Sequence, residues 1–426
     1  MDVVAWCASL IAIDSINPFR AQQQPDGTWQ IDGNEAAILA TCGAHLRSVG
    51  WAVREQDCGG GRKNLIAEKG RGEGVLVLYA HVDTVEVKEG WTYEQALTPQ
   101  RGVRWVDGKE EEVLIGLGAN DMKGGVAVLM RVAAQIQPQH IKVRLILGCD
   151  EEFWSLGSHV LCQDPSLWED VIGVMVPEVG ESAVQPVAGS CLVTLGRCGR
   201  CELVVDVPGT GGHGAEPYRA DRVNAISQAA RLALWIEEKS RSYAAFFPFS
   251  GSAQAVRSSA LVTRIEGGMG TLSIPERAQL IVNRVLVPGE STQQACSQME
   301  QWIEEALATG LLRHVDRGGS LVRPRVFLRP RPTPPLLPYV VSPQDPFVRT
   351  VLAALETHCP VEWGMGVSVA DENRFGGELH KPVVVLGPRG EEAHAPFEWV
   401  SIPSLLRLET LYLSAIAAID QPSPAR

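Results

Sequence analysis

The sequence predicts an α/β domain with a mixed, largely parallel central sheet, interrupted by a smaller inserted α+β domain. Apolar runs of strand length alternate with helical patterns over residues 37–160. Such alternation builds parallel sheets with helices on their faces. The texture then shifts to strands separated by two long helices, ending in a proline-rich stretch at 329–346. Beyond it the α/β pattern resumes. The boundaries read as 1–190 and 333–426 for the interrupted domain and 191–332 for the insertion.

The elements follow in order. "MDVVAWCASLIAIDSINPF" opens as an amphipathic helix stopped by "NP"; it has no basic start and carries Asp2, so it does not read as a signal peptide. "AAILATCGAHLRSVG" has helical spacing and a glycine end. "WAVREQD" and "NLIAEKG" are short strands. "GVLVLYAHVDTV" is a continuous apolar run, the mark of a strand buried on both faces. "MKGGVAVLMRVAAQIQ" is a helix, and "KVRLILGCDEE" and "DVIGVMVPE" are buried strands. The insertion has strands "CELVVDVPG", "SSALVTRIEGG" and "RAQLIVNRVLVPGE", the texture of an antiparallel sheet. Its helices are "RVNAISQAARLALWIEEKSRS" and "STQQACSQMEQWIEEALATG". Helix "FVRTVLAALETH", strand "KPVVVLGP" and helix "SIPSLLRLETLYLSAIAAI" complete the first domain.

Composition narrows the function. The 426 residues are 45% hydrophobic, with net charge −12, pI about 5.3 and mean hydropathy +0.01. An acidic surface disfavours nucleic-acid partners, because phosphate binding needs a basic face. No apolar stretch is expected to approach the ~18 residues of a membrane span. Ten cysteines without regular spacing fit reduced thiols and a cytoplasmic location. Cys198 and Cys201 form one CxxC, but a zinc ribbon needs a second pair.

In open α/β sheets, ligands gather beyond the carboxyl ends of the strands. His81 and Asp83 follow "VLVLYA", Asp121 follows "VLIGLGAN", Asp150, Glu151 and Glu152 follow "VRLILGC", Glu178 follows "VIGVMVP", and His394 follows "VVVLGPRGEEA". Singly, each has an ordinary reading; Asp121 alone could be a helix N-cap. Together, two histidines and several acids at one sheet edge repel unless a divalent cation is present. Histidine and carboxylate donors without thiolate suit zinc, or less often cobalt or manganese. A bridging carboxylate with one histidine and one carboxylate per ion makes a two-metal hydrolytic site.

The ordered set "LIAIDSINP", "YAHVDTV", "GANDMKGG", "CDEEFWSLGS" and "GPRGEEAHAPFEWV" resembles the M20 metallopeptidases and deacylases, a family that includes acetylornithine deacetylase, succinyl-diaminopimelate desuccinylase and glutamate carboxypeptidase. "GRCGRCELVVDVPGTGGHGAEP" and "RIEGGMGTLSIPERAQLIVNRVLVPGE" extend the resemblance through the insertion. It implies a zinc-peptidase-like catalytic domain, two Zn2+ per subunit, and an insertion that acts as a dimerisation lid. It further implies that His81, Asp121 and Glu178 hold one ion, and Asp121, Glu152 and His394 the other. Asp83 would hold the His81 imidazole in its ligating tautomer, or else be a turn residue. Glu151 would be the general base. His213 would reach the other subunit's site to stabilise an oxyanion, or else be a turn histidine. Arg284 matches an arginine associated with the substrate carboxylate, or else forms a salt bridge. A cis peptide at Asp121–Met122 is also implied.

The chain departs from the family pattern at Leu117, Leu272 and Arg389, and in "PEVG" around Glu178, where Glu181 is a rival ligand. The resemblance implies hydrolysis of an N-acyl amino acid or short peptide beside a free carboxylate, by a homodimer. A carbamoyl (ureide) amidohydrolase and a catalytically silent amino-acid-binding homologue remain alternatives.

Overall fold

The computed structural model describes residues 1–106, 108–179, 189–243, 245–249, 255–270 and 272–422. The chain divides into two compact units. One comprises Met1–Gly196, Pro332–Pro334 and Val340–Arg426; the other comprises Arg197–Arg331 and Pro335–Tyr339.

The first unit is built on a mixed sheet. Its strand order is Tyr339–Val340, Cys191–Arg197, Val383–Val385, Val171–Val176, Val75–His81, Lys142–Gly148, Arg62–Gly70 and Ala52–Gly59, with Val361–Gly366 also pairing with Cys191–Arg197. The four strands from 383–385 to 142–148 run parallel. Strands 62–70 and 52–59 continue antiparallel on one side, and 191–197 is antiparallel to 383–385 on the other. Strand 75–81 is buried at every position, as its unbroken apolar run predicts.

A second sheet in this unit pairs Gly390–Glu391, Trp399–Ser401, Lys109–Ile115 and Gln100–Val106 in antiparallel order. The segment before Asp121 therefore lies in this small sheet and not in the central one, where the sequence analysis places it. Alternation of exposed and half-buried residues in 100–106 is the signature of a strand covered on one face only.

Helix Gly124–Gln135 starts directly after the Asp121 turn. A Cβ at Gly125 would meet the Pro177 carbonyl oxygen at 2.2 Å, so glycine lets the helix start pass close to the segment bearing Glu178. The last helix, Ile402–Ile419, corrects one expectation: at 18 residues and mean hydropathy 1.4, it meets the length and composition of a membrane span. Here it is amphipathic. Ile402, Leu405, Leu408, Leu411, Tyr412, Ala415 and Ile416 are buried at helical spacing, and the helix packs on Pro346–Glu356 and Gly124–Gln135.

The second unit is an antiparallel sheet in the order Ser259–Gly267, Arg277–Leu286, Gly199–Pro208 and Arg325–Leu328. Helices Ala225–Ser242 and Thr292–Ala308 cover it. Leu203, Val205, Leu232, Ile236, Leu280, Val282, Met299 and Trp302 form its core.

Candidate metal centre

Strand register brings the polar residues to one edge. His81 ends strand 75–81 and pairs with Gly148, so Asp150, Glu151 and Glu152 begin level with it. Val176 pairs with Val385, which brings Glu178 and the 386–394 segment to the same edge. The small sheet supplies the rest. Trp399 pairs with Ile115, so the loop bearing His394 closes beside the turn bearing Asp121.

The Asp121 carboxylate spans the two histidines. Its Oδ1 lies 3.0 Å from His81 Nε2 and its Oδ2 3.4 Å from His394 Nε2. His394 Nε2 is also 3.0 Å from Glu152 Oε2. Two sets of ligand atoms lie within 4.8 Å of one another: His81, Glu151 and Glu152, and Asp121, Glu152 and His394. Neither set includes Glu178, which is buried nearby and whose charge pushes on Glu151. Glu181 lies outside the described residues. The Asp121–Met122 peptide bond is cis.

Electrostatics follow from burial and crowding. Burial pushes the Glu151 carboxyl well above the usual range; the His81 charge opposes this and Glu178 and Glu152 reinforce it. Burial and then Asp121 push Glu152 up to about 7. Hydrogen bonds that His394 donates to Asp121 and Glu152 raise its imidazole to about 11. Burial disfavours a charged His81, but Asp121 and Asp83 outweigh it and hold the imidazolium well above its ordinary range.

His81 Nδ1 lies 3.1 Å from the Asp83 backbone carbonyl and 3.6 Å from the Asp83 carboxylate. A carbonyl oxygen can only accept, so Nδ1 carries a proton and neutral His81 presents its lone pair on Nε2, toward Asp121. Asp83 thus sets the tautomer through its main chain. Its carboxylate accepts from the backbone N–H of Glu151 at 3.1 Å and of Glu152 at 3.2 Å. Those two glutamates sit in a turn after Asp150, whose φ is 62°, and not on the extended segment expected of "CDEE".

The sequence analysis missed Glu398. Its buried carboxylate accepts from the backbone N–H groups of Gly118 at 2.7 Å and of Asn120 and Asp121 at 2.8 Å. It also missed buried Asp371, which accepts from the hydroxyls of Tyr79 and Ser158. A signal existed only for Glu398, which stands four residues after His394.

His213 and Arg284 belong to the second unit. His213 Nδ1 accepts the Ala215 N–H at 3.1 Å within an exposed turn. Arg284 lies on strand Arg277–Leu286. It is 2% exposed, pairs with Glu290 at 2.7 Å, donates to Gln298 at 3.2 Å, and sits over the Tyr243 ring at 5.8 Å. Its charge is already paired with the half-buried Glu290.

The fit of these residues to metal is chemical. The donors are imidazole nitrogens and carboxylate oxygens, and one carboxylate faces both imidazoles with separate oxygens. Relatives agree. Acetylornithine deacetylase of Aliivibrio fischeri (strain MJ11) is 28% identical over 205 residues, 47% of this chain and 48% of that one. Succinyl-diaminopimelate desuccinylase of Rhizorhabdus wittichii is 31% identical over 196 residues, 44% and 48%. This chain spans about half the length of the curated relatives it matches. Aminopeptidase PepT from Bacillus cereus superposes with a TM-score of 0.69 at 17% identity, covering 98% of both chains. YXEP of Bacillus subtilis, described as a dinuclear metal binding peptidase, superposes at 0.63 and 14% identity, covering 98% of this chain and 97% of that one. The sequence profile of Peptidase family M20/M25/M40 matches residues 77–418. The chain therefore belongs to peptidase family M20/M25/M40.

Proposed function

We propose that this protein is a two-metal amidohydrolase that cleaves an N-acyl amino acid or short peptide beside a free carboxylate. The observation that carries this reading is the Asp121 carboxylate, with one oxygen toward His81 and the other toward His394. His81, Asp121, Glu152, His394 and Glu178 would hold the ions, with zinc favoured by the donor set and cobalt or manganese as substitutes. Bound divalent cations supply Lewis-acid polarisation of the scissile carbonyl and acidify the attacking water.

The chain's own residues do the rest. Glu151, kept near the ligands by the turn after Asp150, takes a proton from water and passes it to the leaving amine. Its raised proton affinity matches that task, because the group must hold the proton between the two steps. Asp83 keeps the His81 Nε2 lone pair facing the site through its carbonyl. Glu398 holds the backbone of the Asp121 turn. His213 would stabilise the developing oxyanion in the site of a second copy. That copy would dock through the second unit, making the protein a homodimer. The relatives' names, a deacetylase and a desuccinylase of amino-acid derivatives, support the substrate class. The ten cysteines form no disulfide, which fits a cytoplasmic setting.

The test is a hydrolysis screen of N-acetyl and N-succinyl amino acids and dipeptides with zinc or cobalt added. Metal-dependent release of a free amino acid supports the reading. Ammonia release from a carbamoyl substrate would move it to ureide chemistry, and metal binding without turnover to a silent homologue.

A further inference from the structure

A buried polar network built on Asn17 and Arg62, which neither the proposed chemistry nor the ligand set uses, joins Asp83 to Asp150. Asn17 is 1% exposed and all of its side-chain hydrogen-bonding capacity is taken up. Its Nδ2 donates to Asp83 Oδ2 and to Asp150 Oδ1, both at 2.9 Å. Its Oδ1 accepts from Arg62 Nη2 and from the Phe19 N–H, both at 3.0 Å. Turned the other way, the amide would set its oxygen against two carboxylates and its NH2 against two donors, so chemistry fixes its orientation. Arg62, 1% exposed, reaches Glu35 at 2.6 Å and Asp150 at 2.9 Å through Nη1, and its Nε donates to the Asp32 carbonyl at 2.8 Å. Main-chain bonds hold the segment in place: the Asn17 N–H donates to the Thr84 carbonyl at 2.8 Å, and the Thr84 N–H to the Ser15 carbonyl at 3.1 Å.

The two carboxylates that Asn17 joins have different duties. Asp83 accepts the N–H groups of Glu151 and Glu152, while its carbonyl fixes His81. Asp150 starts the turn: its carbonyl accepts the Ser155 N–H at 2.7 Å, and its Oδ2 the Leu156 N–H at 3.3 Å. One amide therefore links the histidine side of the site to the glutamate side. Without its two donors, Asp83 and Asp150 lose the one side chain that hydrogen-bonds to both, and Asp150 keeps only its ion pair with Arg62 on that side.

We propose that Asn17, oriented by Arg62, is a positioning residue that sets the spacing between His81 and the Glu151–Glu152 pair by bridging Asp83 and Asp150. The inference rests on the two-metal reading above. Supporting groups around metal ligands typically contribute ~10–100-fold in metal affinity or activity.

The experiment measures zinc affinity by chelator competition, the visible spectrum of the cobalt-loaded protein, kcat and KM, and the melting temperature of the metal-free protein. The variants are Asn17→Ala, Asn17→Asp and Arg62→Lys. The expected result is ~10–100-fold weaker zinc binding for both Asn17 variants, a changed cobalt spectrum at saturating metal, and a loss in kcat larger than any change in KM. Asn17→Asp keeps the shape but removes both donors, so it should be at least as damaging as alanine. Arg62→Lys keeps the charge and loses the fork, so it should fall between wild type and Asn17→Ala. If Asn17→Asp does not fold, Asn17→Ser, which retains one donor, should show a smaller loss of the same kind. Variants that melt earlier yet keep wild-type affinity and a wild-type cobalt spectrum would overturn the inference and leave the two-metal reading standing. A wild-type protein that binds neither zinc nor cobalt would overturn both.

Discussion

The Glu398 carboxylate accepts the backbone N–H of Asp121 at 2.8 Å, so a residue near the end of the chain holds the turn that carries the central acid of the site. Three main-chain donors converge on this one side chain. Glu398→Ala strands them, at about 1–3 kcal/mol for each buried donor left unpaired. Denaturant titration should show a loss of several kcal/mol, and zinc affinity should fall with it. A loss under about 1 kcal/mol would mean that other groups take over the three donors.

Glu151 and Glu152 should separate by function. Glu151→Gln should keep its metal and fold while kcat falls by about 10²–10⁴, the range for a general base. Glu152→Ala should lose metal, because Glu152 stands in both sets of close ligand atoms. Metal analysis beside kinetics checks both, and the opposite pattern would exchange the two roles.

Metal uptake should release protons. In the metal-free protein, carboxylates hold His394 protonated up to about pH 11 and His81 well above its ordinary range. Binding through the imidazole nitrogens must displace about two protons near neutral pH. Calorimetry in buffers of differing ionisation enthalpy reads that number. Affinity should fall as pH falls, more steeply below about 7, where Glu152 also gains a proton. The sign reverses for the metal-free fold. His394 has a folded pKa above its ordinary 6.5, so its stabilising contribution is complete below pH 6.5 and is lost as pH rises through about 11.

Arg284 should behave as a structural residue. Arg284→Met removes a buried guanidinium and leaves the half-buried Glu290 without its partner, at a cost of about 1–3 kcal/mol. The melting temperature should drop. KM for carboxylate substrates should not rise relative to their amidated analogues. A selective rise would restore the arginine as a substrate anchor.

The legible part of the site is the part that sits at strand ends. His81, Glu151, Glu152 and Glu178 each follow an apolar run whose strand the structure contains, and parallel pairing makes such positions converge. Asn17 was opaque because the acids it joins are far away in the chain. Asn17 reads as the stop of the first helix, and nothing local tells that its amide meets Asp150, 133 positions on. The polar run "DENR" at 371–374, which the sequence analysis passed over, is 0% exposed at all four residues. The small sheet was misassigned because an apolar strand in a minor sheet has the same pattern as one in the main sheet.

Strand Val383–Val385 lies between Val171–Val176 and Cys191–Arg197, two strands that are close in the chain but not neighbours in the sheet. During synthesis, both must be made and must wait while more than 180 further residues emerge. Until then each presents a bare row of N–H and C=O groups, and the 171–176 strand, "VIGVMV", has no charge and no proline to discourage pairing with another chain. A nascent or truncated chain ending before residue 383 is thus an open slot with an adhesive wall on either side, and its solubility depends on how long that slot stays open.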